Sequence, residues 1–230
     1  VDGTGLVLVF DADDTLWENN VRFERVVDDF LTWLAHPTLD EAMIRATLHD
    51  IEVANTLAHG YGSQVFLRTL RDCFERLHQR AATDQERREI DGLAVALVEH
   101  RVELVPKVSE TLHQLGSRHD LVLLTKGGLE EQQGKLDASG LVRHFSSVHI
   151  VAEKDVDTYR RLTRELSVNP TKTWMIGNSP KSDVLPARRA GWNAVFIPND
   201  HTWTLEHDEL DPEDDAVLRL RAFTDLLDHF

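Results

Sequence analysis

Positions 6–10 (LVLVF) form an unbroken apolar run, the pattern of a strand buried on both faces. Three comparable runs come much later, at 121–124, 173–176 and 194–197, and a weaker one at 147–151. Helical periodicity fills the gaps at 107–118, 130–139, 155–167 and 181–190. Strands alternating with helices of this length predict parallel β-α units, hence an α/β fold with a doubly wound parallel sheet. The stretch 17–103 has a different pattern. It shows no strand signal and reads as four amphipathic helices near 20–35, 40–58, 63–80 and 83–101. His36-Pro37 and His59-Gly60-Tyr61-Gly62 mark breaks, and Thr83 is a predicted N-cap for the fourth helix. The expected organisation is therefore an α/β core, 1–16 and 104–230, interrupted after its first strand by an all-helical cap, 17–103, with a cleft between them.

Composition leaves this picture intact and narrows the partners. Hydrophobic residues make up 41% and charged residues 28%, as in ordinary globular chains. No apolar run reaches the roughly 18 residues that a membrane span needs. A formal net charge of -15 argues against non-specific binding of nucleic acid or of anionic membrane. The acidic stretch 206–215 (EHDELDPEDD) is expected to be a solvated surface loop. The single cysteine, Cys73, has no internal disulfide partner, and no secretory signal pattern opens the sequence, so a cytoplasmic setting is expected. The twelve histidines lack zinc-ligand spacing, and neither a phosphate loop nor a dinucleotide fingerprint occurs.

Candidate chemistry collects where open α/β sheets bind ligands, at the carboxyl ends of strands. Phe10 is followed by Asp11-Ala12-Asp13-Asp14-Thr15, and Leu124 by Thr125-Lys126-Gly127-Gly128. Val151 is followed closely by Glu153-Lys154, and Ile176 by Gly177-Asn178-Ser179-Pro180-Lys181-Ser182-Asp183. Four strand ends bearing reactive groups carry more weight than any one of them.

In these four segments, taken in order, the sequence resembles the haloacid dehalogenase-like hydrolase superfamily, with 17–103 matching a helical cap of the C1 type. The resemblance spans the whole chain. It implies a Mg²⁺-dependent phosphatase working through an aspartyl-phosphate. Asp11 would be the nucleophile and Asp13 the acid and base, while Thr125 would bond a phosphoryl oxygen and Lys154 would neutralise charge in the transition state. Lys126 and Lys135 compete with Lys154 for that role. The metal set would be Asp11, the backbone carbonyl of Asp13, Asn178 and Asp183, with Asn178 standing where many relatives carry aspartate. An amide oxygen can ligate Mg²⁺ but brings no charge, so weaker metal binding is expected. Lys126, Gly127, Trp17 and Tyr61 are expected substrate contacts, Gly127 through close backbone approach.

Dehalogenases of this superfamily lack the second aspartate, so Asp13 favours phosphate esters. The expected partner is a small phosphorylated metabolite, without nucleic acid or membrane, and the expected assembly is a monomer or homodimer. The competing readings are a phosphomutase, a 2-haloacid dehalogenase, and a catalytically weak phosphate-binding relative.

Overall fold

A computed structural model describes residues 5–98 and 102–230. The chain divides into two compact units, Val1–Asn20 with Val102–Phe230, and Val21–Arg101. The strands are β1 (Val7–Phe10), β2 (Trp17–Glu18), β3 (Glu103–Leu104), β4 (Asp120–Lys126), β5 (Ser147–Val151), β6 (Thr173–Gly177), β7 (Asn193–Phe196) and β8 (Val217–Arg219). Six of them form one sheet in the order β5-β4-β1-β6-β7-β8, and every pairing in it is parallel. In β1, Leu8 and Phe10 pack into one hydrophobic cluster with Leu112, Leu115 and Phe223. Val9 points the other way, into a cluster with Tyr159, Leu162 and Trp192. A strand covered on both faces must be apolar at every position, which explains the unbroken run.

The second unit holds α1 (Asn20–Leu34), α2 (Glu41–His59), α3 (Ser63–His78), α4 (Asp84–Leu93) and α5 (Val95–Val98). Asp40 caps α2 by accepting from Met43 N at 2.8 Å, and Thr83 with Glu86 forms a capping box on α4. Phe30, Leu70, Cys73, Phe74 and Ile90 belong to a core of its own. Burial pushes the Cys73 thiol up to about 12, with Arg76 pulling weakly the other way. The expected fourth helix is broken, because α4 ends before Ala94 and α5 follows it. Its expected last residues, 99–101, lie outside those described. The expected absence of strands in 17–103 also needs correcting: Trp17 and Glu18 pair antiparallel with Leu104 and Glu103.

The core helices are α6 (Val108–Leu115), α7 (Leu129–Ser139), α8 (Val156–Glu165) and α9 (Leu185–Arg189). β4 runs to Lys126, so Thr125 and Lys126 lie on the strand and not beyond it. The helix expected at 181–190 opens with a π-type turn, Pro180–Val184. No helix among the described residues is long and apolar enough to cross a membrane.

Candidate active site

β1 lies between β4 and β6, where the strand order reverses and α/β sheets open a crevice at their carboxyl ends. Asp11 continues the ladder, its amide donating to Ile176 O at 2.9 Å. The chain then coils tightly, with Leu16 N donating to Ala12 O at 2.8 Å and Asp14 held at φ 61°. Asp14, not singled out from sequence, accepts from the amides of Asn19 and Asn20, both at 2.9 Å, where the chain enters α1. Burial pushes its carboxyl up to about 7 against those two bonds.

Asp11, Lys154 and Asp183 form a buried trio. The Lys154 ammonium bonds Asp11 Oδ1 and lies 2.8 Å from Asp183 Oδ1. Burial and the Asp183 charge raise the Asp11 carboxyl to about 7, outweighing Lys154. Burial works against the Lys154 charge, but the two carboxylates more than compensate and hold it protonated. Asp183 fits because Gly177 has no side chain: a Cβ there would lie 2.1 Å from Asp183 Oδ2. That oxygen accepts from Ser179 N at 2.9 Å. Thr15 Oγ1 lies 3.1 Å from Asp11 Oδ2 and 3.2 Å from Asn178 Oδ1. The Asn178 amide nitrogen donates to Thr202 Oγ1 at 2.8 Å, which turns its oxygen toward Thr15 and Asp11.

Asp13 occupies a different field. Its Oδ1 accepts from the Trp17 indole at 2.7 Å and from Lys135 at 3.0 Å, and its Oδ2 from Gln132 at 2.8 Å and Lys135 at 3.1 Å. Burial alone would raise this carboxyl, but Lys135, Gln132 and Trp17 hold it below the usual carboxylate value. Trp17, expected at the substrate, is 1% exposed and packs in the core, its N–H committed to Asp13. Gln132 was missed by the sequence reading. Its place one helical turn before Lys135 was the available signal.

Lys126, also expected at the substrate, is bonded to Glu206 and lies 2.9 Å from Ser182 Oγ. Glu206, expected in a solvated loop, is only 9% exposed and accepts from Ser179 Oγ at 2.5 Å. Its burial would raise the carboxyl, yet Lys126 and the serines hold it low. Gly127 has φ 138°, and a Cβ there would meet Gln132 Nε2 at 2.9 Å. Thr125 is buried on β4 in register with Ile150. Tyr61 belongs to the helical unit, half-buried in the turn before α3.

Two buried carboxylates sharing one ammonium leave a net negative charge beside the Asn178 oxygen. That all-oxygen set suits a hard divalent cation. Among the described residues, no group of three or more His, Cys, Asp or Glu is arranged to hold a metal ion, here or elsewhere.

The chain is thus a doubly wound α/β core with reactive side chains at its strand ends. Residues 6–191 match the model of the haloacid dehalogenase-like hydrolases, and the chain belongs to that family. It is 28% identical over 177 residues to a phosphoserine phosphatase of Thermus thermophilus, covering 73% of this chain and 68% of the relative. A haloacid dehalogenase-like family hydrolase from Xanthomonas campestris has the same fold, with TM-score 0.80, 23% identity and 96% and 92% of the two chains covered. The L-2-haloacid dehalogenase of Xanthobacter autotrophicus shares it too, with TM-score 0.62, 19% identity and 97% of each chain covered.

Proposed function

We propose that the protein is a Mg²⁺-dependent phosphatase of a small phosphorylated metabolite, with Asp11 as nucleophile. The observation that carries this reading is the pairing of two aspartates in opposite settings: Asp11 against Lys154 and Asp183, and Asp13 inside a ring of donors. The phosphoserine phosphatase relative supports it. The likeness to a dehalogenase is one of fold, which hosts many chemistries, and Asp13 favours phosphate esters.

In this reading Asp11 attacks phosphorus while Lys154 offsets the charge of nucleophile and phosphoryl group. Thr125 and the backbone at Gly127 bind phosphoryl oxygens. Asp13, held ionised by its ring of donors, takes a proton from the water that cleaves the aspartyl-phosphate and gives that proton to the leaving oxygen of the next substrate. Asp11, Asp183, Asn178 and the Asp13 carbonyl would hold Mg²⁺, which supplies positive charge against the repulsion between carboxylate and phosphate. The helical unit, with Tyr61, is assigned the choice of substrate.

The test is phosphate release from p-nitrophenyl phosphate and a panel of phosphorylated metabolites, with and without Mg²⁺. Wild type is expected to turn over only with the metal, and Asp11→Asn to lose about three orders of magnitude or more. Equal rates for the two proteins would remove Asp11 as nucleophile. Halide release from 2-chloropropionate without Mg²⁺ would replace the phosphatase reading with dehalogenation.

A further inference from the structure

We propose that Gln132 and Lys135 on α7 are positioning residues that aim the Asp13 carboxyl at the leaving oxygen. The inference rests on the phosphatase reading and extends it to residues outside the four strand-end segments.

Both side chains are buried, Gln132 at 5% and Lys135 at 3% exposure. A lysine is almost never so buried unless paired. Here the i, i+3 spacing puts the two on one face of α7, and both reach the same carboxylate, 119 and 122 residues back in the chain. Each Asp13 oxygen receives two donors, so the plane of the carboxyl is set as well as its position. Lys135 is itself steered by Asn19 Oδ1 at 2.9 Å and by Glu131 at 3.6 Å. Gln132 Nε2 also bonds Lys126 O at 3.1 Å, while its own Oε1 is buried without a partner. Reversing the amide would set Oε1 against the Asp13 carboxylate and the Lys126 carbonyl, two acceptors. The amide is therefore set with its N–H on Asp13. Gly127 completes the arrangement by leaving room for Gln132, since any Cβ would stand 2.9 Å from Nε2.

In the first step an Asp11 oxygen bonds phosphorus, and the bond from phosphorus to the leaving oxygen breaks. The electron pair stays on that oxygen, which takes the proton that Asp13 gained from water in the preceding turnover. In the second step a water oxygen bonds phosphorus as the bond to Asp11 breaks, and Asp13 takes the water's proton. A small displacement of the carboxyl impairs proton delivery without touching the phosphoryl site. Phenolate leaving groups of low basicity depart without a proton, and alkoxides do not. Loss of positioning therefore makes the rate depend more steeply on leaving-group basicity.

The experiment uses the full chain and the variants Gln132→Leu, Lys135→Met and Lys135→Arg. Phosphorylation rates are read by rapid quench on 2,4-dinitrophenyl, p-nitrophenyl, phenyl and ethyl phosphate. In Gln132→Leu and Lys135→Met, KM is expected within about threefold of wild type, and the rate on ethyl phosphate to fall about 100-fold. The dinitrophenyl ester should lose far less, and Lys135→Arg should recover part of the deficit. The slope against leaving-group pKa is a ratio within one preparation, so a partly unfolded variant still reports it. Equal losses on all four esters, with an unchanged slope, would make the two residues merely structural. A wild type that releases no phosphate from any ester would instead overturn the phosphatase reading, and this inference with it.

Discussion

Asp11 and Asp13 are the same residue type two positions apart, yet their surroundings drive them in opposite directions. Burial and Asp183 lift Asp11 to about 7, and Lys135, Gln132 and Trp17 hold Asp13 down despite its burial. A divalent cation held by Asp11 and Asp183 would draw Asp11 back down to the ionised form that attack on phosphorus requires. Asn178 shows the same dependence on a neighbour. An amide has a donor end and an acceptor end, and Thr202 takes the donor end at 2.8 Å. In Thr202→Val that partner is gone and only the 3.2 Å contact with Thr15 Oγ1 still holds the oxygen end. The Mg²⁺ concentration for half-saturation, read by calorimetry, is expected to rise about tenfold, the usual scale for removing an outer-shell partner. An unchanged affinity would show that Thr202 does not orient the ligand. Asp11, Asp13, Lys154 and Asp183 were legible because their spacing after apolar strands is local information. Trp17, Lys126 and Glu206 were not, because what fixes them is a partner far away in sequence. Glu206 meets Lys126 from 80 residues on, and nothing in a run of acidic residues says which one turns inward.

The end of β6 shows how an element fixes a site. The strand stops at Gly177, and the π-type turn Pro180–Val184 brings Val184 N within 3.1 Å of Ser179 O. Such wide turns recur at functional sites because they re-aim side chains. Here the turn folds Asp183 back over Gly177. In Gly177→Ala the new methyl would lie 2.1 Å from Asp183 Oδ2 and 2.4 Å from its Cγ, so Asp183 must leave its place beside Lys154. A loss of about 1–3 kcal/mol of stability in urea titration is expected, the usual cost of overpacking. Phosphatase activity should fall much further than stability, and near-wild-type turnover would show that Asp183 has another workable position. The strands of the sheet were legible where both faces are covered, since that forces a continuous apolar run. β2, β3 and β8, of two, two and three residues, are too short for alternation to show.

At the scale of the molecule, the chain leaves and re-enters the core through one narrow ribbon. Trp17 faces Leu104 and Glu18 faces Glu103, so the strands on either side of the helical unit are hydrogen-bonded neighbours with Cα atoms about 5 Å apart. The helical unit has its own hydrophobic cluster, drawn from residues 23–97, and the two core clusters share no residue with it. A segment that buries its own apolar surface and returns to its starting point can be removed without opening the core it interrupts. Asn19 and Asn20 must stay, because their amides satisfy the buried Asp14 carboxylate. A chain with 21–101 replaced by a short Asn-Gly-containing turn is therefore expected to fold, with a cooperative urea transition and the circular dichroism of a parallel α/β sheet. The trio of Asp11, Lys154 and Asp183 lies wholly in the retained unit, so slow Mg²⁺-dependent hydrolysis of p-nitrophenyl phosphate should survive. If the helical unit selects the substrate, differences in kcat/KM among phosphorylated metabolites should shrink toward parity while this generic activity persists. Undiminished discrimination would move specificity into the α/β unit, and a broad, non-cooperative transition would show that the core depends on the segment it carries.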